Sequence, residues 1–234
     1  MGLRLYHFLY FMNIWLILIL TMVLSLIVQG MLTSRFNKYS KVPVGNGMTG
    51  AEIAMKMLND NGIYDVQVVP TKGMLTDFYN PANKTVALSE GVYSSRSIAA
   101  AAVAAHECGH AIQHAKGYAP LKMRTALVPL VNFASSIVQW VLLAGVLLMS
   151  VFPGLLWFGI ALFAMTTLFS FVTLPVEINA SMRAVSWLGK AGITDAQTQP
   201  MAIDALKWAA YTYVIAAIGS LATLLYYIGL ARRD

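Results

Sequence analysis

Three stretches of the chain, Leu5 to Ser34, Thr125 to Val176 and Trp208 to Leu230, contain no Asp, Glu, Lys or Arg. A helix needs roughly 20 apolar residues to cross a bilayer. The first and last stretches are each long enough to cross once. The middle one is more than twice that length and carries Pro153-Gly154 near its centre, so it predicts two spans joined by a tight turn. The pattern therefore predicts four transmembrane helices. The first apolar run outlasts the 7–15-residue core of a signal peptide, and no small-x-small cleavage site follows it, so it is expected to be an uncleaved anchor.

Two segments lie outside the spans, from about Arg35 to Arg124 and from about Glu177 to Lys207. In the longer one, Thr49-Gly50-Ala51-Glu52 has the form of a capping box. Ala51, Ile53, Ala54, Met57 and Leu58 follow at helical spacing, with Gly62 as a stop. Tyr64-Asp65-Val66-Gln67-Val68-Val69 predicts a strand that ends at Pro70. Asn80-Pro81-Ala82-Asn83 predicts a turn between Thr76–Tyr79 and Thr85–Leu88, giving a short antiparallel sheet. After Ser94-Ser95 a second helix is predicted, Ala-rich through residues 99–105 and reaching about Ala115, with Gly117 just beyond. In the shorter segment Pro175 predicts the end of the third span, and Glu177–Leu188 a helix closed by Gly189 and Gly192. Thr194 or Asp195 then caps a helix leading into the last span. The expected organisation is an anchor over 1–34, a catalytic segment over 35–125, a helical hairpin over 126–176, a connector with a helix over 177–208 and a last span over 209–234.

Composition agrees with a membrane protein: 58% of residues are hydrophobic and 11% charged, against about 25% charged in soluble domains. The net charge of +6 reads as Lys and Arg retained on the cytoplasmic side, without need of a nucleic-acid partner. The single cysteine, Cys108, excludes an internal disulfide. Transporters commonly carry ionisable groups inside their spans, and these spans are nearly free of them, which argues against transport.

The chemistry is concentrated in His106-Glu107-Cys108-Gly109-His110, inside the second predicted helix. Residues four apart share a helical face, so both imidazoles can reach one ion. Zinc binds histidine nitrogen at about 2.0–2.1 Å and requires that convergence. Glu107 stands beside the metal, where it can take a proton from a water whose pKa zinc lowers to about 7. Four His and four Glu in random order would give His-Glu-x-x-His about 0.001 times per chain. A catalytic zinc has a third protein ligand and an open position. The order of spans delivers Glu177 to the side that holds His106 and His110, but spacing alone leaves a metal ligand and an ordinary juxtamembrane carboxylate both open. His114 continues the series of histidines. Eight residues of helix cover roughly 12 Å, however, and two ligands of one zinc lie about 3–4 Å apart. His114 is therefore expected around the metal or facing substrate.

The run Ala105-His106-Glu107-Cys108-Gly109-His110-Ala111-Ile112-Gln113-His114-Ala115 resembles the zinc helix of the YugP-type bacterial membrane metallopeptidases. The likeness extends to Leu75-Thr76-Asp77-Phe78-Tyr79-Asn80-Pro81, to Leu88-Ser89-Glu90-Gly91-Val92-Tyr93 and to Leu174-Pro175-Val176-Glu177-Ile178-Asn179-Ala180-Ser181-Met182-Arg183-Ala184. These proteins are similar to the HtpX-like proteases, in which a Glu on a later helix completes the zinc site. The resemblance thus implies His106, His110 and Glu177 as ligands of one Zn2+, with Glu107 as base. It also implies an α+β membrane protein, in which four transmembrane helices carry a small zincin-like (gluzincin) catalytic domain of helices and a short antiparallel sheet. Asp77, Tyr79, Asn179 and Arg183 lie in the shared motifs and are candidates for places around the metal or substrate; Arg183 can orient its helix by pairing with a carboxylate or be an exposed juxtamembrane residue, and both stay open. Cys108 stands where an aliphatic residue is commoner, and Ser181 where HtpX-like proteins carry an acid.

The expected function is membrane-embedded, zinc-dependent endopeptidase action on proteins; the alternative is a non-catalytic zinc-containing scaffold or adaptor, which would have no use for Glu107. Tyr79, Tyr93 and His114 are open candidates for stabilising an oxyanion. The partners expected are protein or peptide substrates, membrane proteins among them, the lipid bilayer, and partner proteins or a second copy. A multi-pass protein of the bacterial cell membrane is expected, with its site on the cytoplasmic side. Of 16 Lys and Arg, only Arg4, Arg232 and Arg233 fall on the opposite side of the predicted spans.

Overall fold

The computed structural model describes residues 2–73 and 76–232; Leu75 and Arg233, named above, fall outside them. In chain order the elements are α1 (Gly2–Tyr39), α2 (Gly50–Asp60), β1 (Gln67–Thr71), β2 (Phe78–Asn80), β3 (Thr85–Ser89), α3 (Glu90–Tyr93), α4 (Ile98–Ala115), α5 (Ala119–Leu147), α6 (Pro153–Lys190) and α7 (Gln199–Ala231). Among the described residues, four helices are long and apolar enough to cross a membrane: Ile14–Tyr39 of α1, α5, α6 and α7, of 26, 29, 38 and 33 residues. At about 1.5 Å per residue each exceeds a hydrocarbon core of about 30 Å.

The chain divides into two compact units. One holds the residues before 28, residues 123–174 and those from 212 on. Here glycines allow close approach: a Cβ on Gly145 would lie 2.7 Å from the backbone Cα of Leu156, and one on Gly159 would lie 2.9 Å from the Leu142 side chain at Cδ2. Leu142, Leu156 and Ile160 are buried at this contact, while Trp140, Leu147 and Phe158 face outward, as apolar side chains do where the solvent is lipid.

The other unit comprises residues 28–122 and 175–211. Its α2 starts with the predicted capping box, in which Thr49 and Glu52 satisfy each other's backbone N–H groups. The helix buries Ile53, Ala54, Met57 and Leu58 against the alanine face of α4. Ser97 caps α4 by accepting from Ala100 N. The helix closes at Gly117, whose φ of 62° allows Tyr118 N to bond back to Gln113 O.

The sheet is mixed, which corrects the antiparallel expectation. Its order is β1-β3-β2, with β1 parallel and β2 antiparallel to β3. The Asn80–Lys84 turn fixes only the β2–β3 hairpin. Pro70 lies inside β1, opposite Leu88, where a strand end was expected. A proline donates nothing to the ladder and so belongs on an edge strand. The most buried strand, β3, takes the centre. A second correction concerns Pro175: α6 runs unbroken from Pro153 to Lys190. Proline inside a helix forfeits one backbone bond, but breaking an apolar helix of this kind would orphan several more.

Candidate metal centre

The site is assembled from α4 and from the part of α6 that follows Pro175. His106 and His110 sit one turn apart on α4, their rings edge to face with centroids 4.8 Å apart. Gly109, on the same turn, removes the side chain that would hold the helices apart, and the backbone at Ala180 fills that space. The approach brings Glu177 over the histidines: its Oε2 lies 3.4 Å from His106 Nε2 and 3.6 Å from His110 Nε2. These separations match the spacing of two atoms that share one zinc at about 2.0–2.1 Å each. The three donor atoms all lie within 4.8 Å of one another, and no further group of three or more possible ligands occurs among the described residues.

Hydrogen bonds at the far nitrogens orient the two rings. Ser181 Oγ lies 3.0 Å from His106 Nδ1, and Gln113 Oε1 lies 3.1 Å from His110 Nδ1. An amide oxygen only accepts, so Nδ1 of His110 carries a proton and Nε2 is the nitrogen left for a metal. Two imidazole nitrogens and a carboxylate oxygen, held this way, are a donor set that suits Zn2+.

Glu107 is buried beside this group. Burial raises its carboxyl above the ordinary range, against the opposing pull of His106 and His110. His110 is also raised: burial alone would lower it, but Glu177, Glu107 and Gln113 together favour the charged ring and prevail. Cys108 is buried on the face of α4 turned to α2, with Sγ 3.5 Å from Ala54 O, away from the three donors.

The remaining sequence candidates take other places. His114 is not one of the three donors; its exposed ring lies with Nδ1 2.7 Å from Tyr79 Oη of β2. Asp77 accepts from the backbone N of Ser89 at 2.7 Å and from its hydroxyl at 3.0 Å, pinning the end of β3. Burial raises the Asp77 carboxyl, against these donors. Arg183, for which a carboxylate partner and plain exposure were both open, donates from Nε to Asn179 Oδ1 at 2.7 Å. Sequence reasoning gave Gln113 no role. Its signal was a long polar side chain three residues after His110, on an otherwise apolar stretch of buried helix.

Comparison with known proteins bears on this geometry. The profile of a family described as "Putative neutral zinc metallopeptidase" matches residues 14–232. The chain is 45% identical over 205 residues, 88% of this chain and 90% of the relative, to "Putative membrane protease YugP" of Bacillus subtilis (strain 168). No solved structure matches significantly. Zinc is the metal that the family description implies for His106, His110 and Glu177. With a profile that spans nearly all of it and a relative alike over most of its length, the chain belongs to this neutral zinc metallopeptidase family.

Proposed function

We propose that the protein is a membrane-embedded zinc endopeptidase that hydrolyses peptide bonds of protein substrates, in a gluzincin-like site. The observation that carries the reading is the convergence of His106 Nε2, His110 Nε2 and Glu177 Oε2 beside the buried carboxylate of Glu107. The three donors would hold one Zn2+, which when bound supplies Lewis acidity, lowering the pKa of water and polarising a carbonyl. Glu107 acts as general base. As the oxygen of water adds to the scissile carbonyl carbon, a Glu107 carboxylate oxygen takes its proton. It returns that proton to the amine as the C–N bond breaks, leaving a carboxylic acid, which gives up its own proton to solvent or the amine, and a new N-terminus. Burial raises the Glu107 carboxyl toward the working pH, where a base is most effective. Gln113 keeps the His110 imidazole in the tautomer that presents Nε2, and Ser181 orients the His106 ring. The site is placed on the cytoplasmic side of the bacterial cell membrane, on the distribution of Lys and Arg.

The test is metal analysis of the purified protein together with cleavage of an unstructured protein such as casein, wild type beside Glu107→Gln. Zinc in both proteins with cleavage only by the wild type is the expected outcome. Zinc in both with no cleavage by either would favour a scaffold.

A further inference from the structure

We propose that Gln113 is the positioning residue of the metal centre, a single buried amide that orients His110 on α4 and clamps the turn of α6 that carries Glu177. The proposal rests on the metal-binding reading of His106, His110 and Glu177. Gln113 is fully buried, yet both ends of its amide are engaged. Nε2 donates to the backbone carbonyl of Val176 at 2.8 Å and to Asn179 Oδ1 at 3.1 Å, so its two acceptors flank Glu177 in the chain. Oε1 accepts from His110 Nδ1 at 3.1 Å.

The polarity of this chain of bonds is fixed at both ends. A backbone carbonyl can only accept, so the amide nitrogen must face Val176 and the amide oxygen must face His110. Arg183 Nε can only donate, so Asn179 turns its oxygen toward both Arg183 and Gln113. A proton of His110 is thereby held on Nδ1, which leaves Nε2, the nitrogen that faces Glu177, for the metal. The same amide thus selects the tautomer of one ligand and fixes the backbone beside another. Three donors from two separate segments are assembled as one unit.

The experiment uses the full-length protein in detergent, stripped of metal and titrated with zinc against a chromogenic chelator. The absorption spectrum of the Co2+-substituted protein serves as a second readout of donor geometry. Gln113→Leu should weaken zinc binding by about 10- to 100-fold, the range for partners that orient metal-bound histidines, and should alter the Co2+ spectrum. Gln199→Leu is the control, because Gln199 also donates a hydrogen bond to the backbone of α6, at Val185 O, 2.9 Å, while its amide oxygen accepts from Thr194 and not from a proposed zinc ligand. It should lower stability without changing zinc affinity or spectrum. Gln113→Glu keeps the acceptor for His110 and loses the donor to Val176, so its affinity should fall between wild type and Gln113→Leu. This variant carries the test where Gln113→Leu fails to fold. Wild-type affinity and spectrum in the Gln113 variants would overturn the proposal, as would equal losses in Gln113→Leu and Gln199→Leu. Failure of the wild type to bind zinc, or full binding by His110→Ala, would overturn the metal reading itself and the proposal with it.

Discussion

Gly109 and Ala180 meet so closely that a Cβ on Gly109 would lie 2.6 Å from the Ala180 carbonyl oxygen and 3.0 Å from its Cα. The contact sits between His106 and His110 on one side and Glu177, one turn earlier on α6, on the other. In Gly109→Ala the gain in helix propensity is at most about 1 kcal/mol. Overpacking against backbone costs about 1–3 kcal/mol. The variant should melt at lower temperature, and zinc should raise its melting temperature less than that of wild type. Thermal unfolding with and without zinc checks this. A variant as stable and as zinc-responsive as wild type would mean that the close approach does not set the position of Glu177.

Glu107→Gln preserves shape and removes the ability to accept a proton. Peptide cleavage should fall by at least about 10²-fold. Zinc content should stay close to wild type, because Glu107 is not among the three converging donors. Loss of zinc in this variant would recast Glu107 as a ligand, and retained cleavage would remove it from the mechanism.

The ligand set separates by substitution. His106→Ala, His110→Ala and Glu177→Ala should each abolish tight zinc binding, whereas His114→Ala should leave most of it, since the His114 ring is turned to Tyr79. Metal content after dialysis distinguishes them. Zinc lost in His114→Ala and kept in Glu177→Ala would assign the third ligand to the wrong residue.

Asp77 gives a prediction about pH. Its carboxyl is raised in the folded protein, chiefly by burial. The folded state therefore binds this proton more tightly than the unfolded chain does, where the carboxyl titrates near about 3.9. The stability that the proton contributes is fully present below that value and is lost as pH rises through the folded pKa. Asp77→Asn is neutral throughout and can still accept from Ser89. Melting temperatures of the two metal-free proteins should thus diverge in favour of Asp77→Asn as pH rises from 4 to 7. A difference that does not change with pH, or that changes with opposite sign, would contradict the burial argument.

The spans, the capping box at Thr49 and Glu52 and the buried face of α2 were legible because each depends on local spacing. His106 and His110 were legible for the same reason: four residues on a helix share a face. Glu177 could be matched to them only through the order of spans and the resemblance, because its approach depends on Gly109 meeting Ala180 across 71 residues of chain. The direction of β1 was hidden because a hairpin signal orients only β2 and β3. Pro175 misled because proline normally ends a helix exposed to water, and α6 is apolar ahead of it. The partners of Gln113 and Ser181 were not legible, because a hydrogen bond from one helix to another leaves no periodicity in either.

The last prediction concerns sidedness. Four spans would place both termini and the Phe152-Pro153-Gly154 turn on one side of the membrane, and the segments after the first and third spans on the other. Lys and Arg close to the ends of spans govern orientation. Near the spans, the side of the metal centre would hold Arg35, Lys38, Lys41, Lys116, Lys122, Arg124, Arg183, Lys190 and Lys207, against Arg4, Arg232 and Arg233 opposite. Arg4 alone precedes the first span, and three cations follow it within residues 35–41. A loop as long as the one from Arg35 to Arg124 can cross largely regardless of its charge, so the residues flanking the spans carry the argument. Cysteine labelling in intact cells reads the outcome on a Cys108→Ala background. A cysteine at Lys72 should resist a membrane-impermeant thiol reagent until the cells are opened, and one appended after Asp234 should react at once. Reaction at Lys72 in intact cells, with protection at the C-terminus, would place the metal centre outside the cytoplasm.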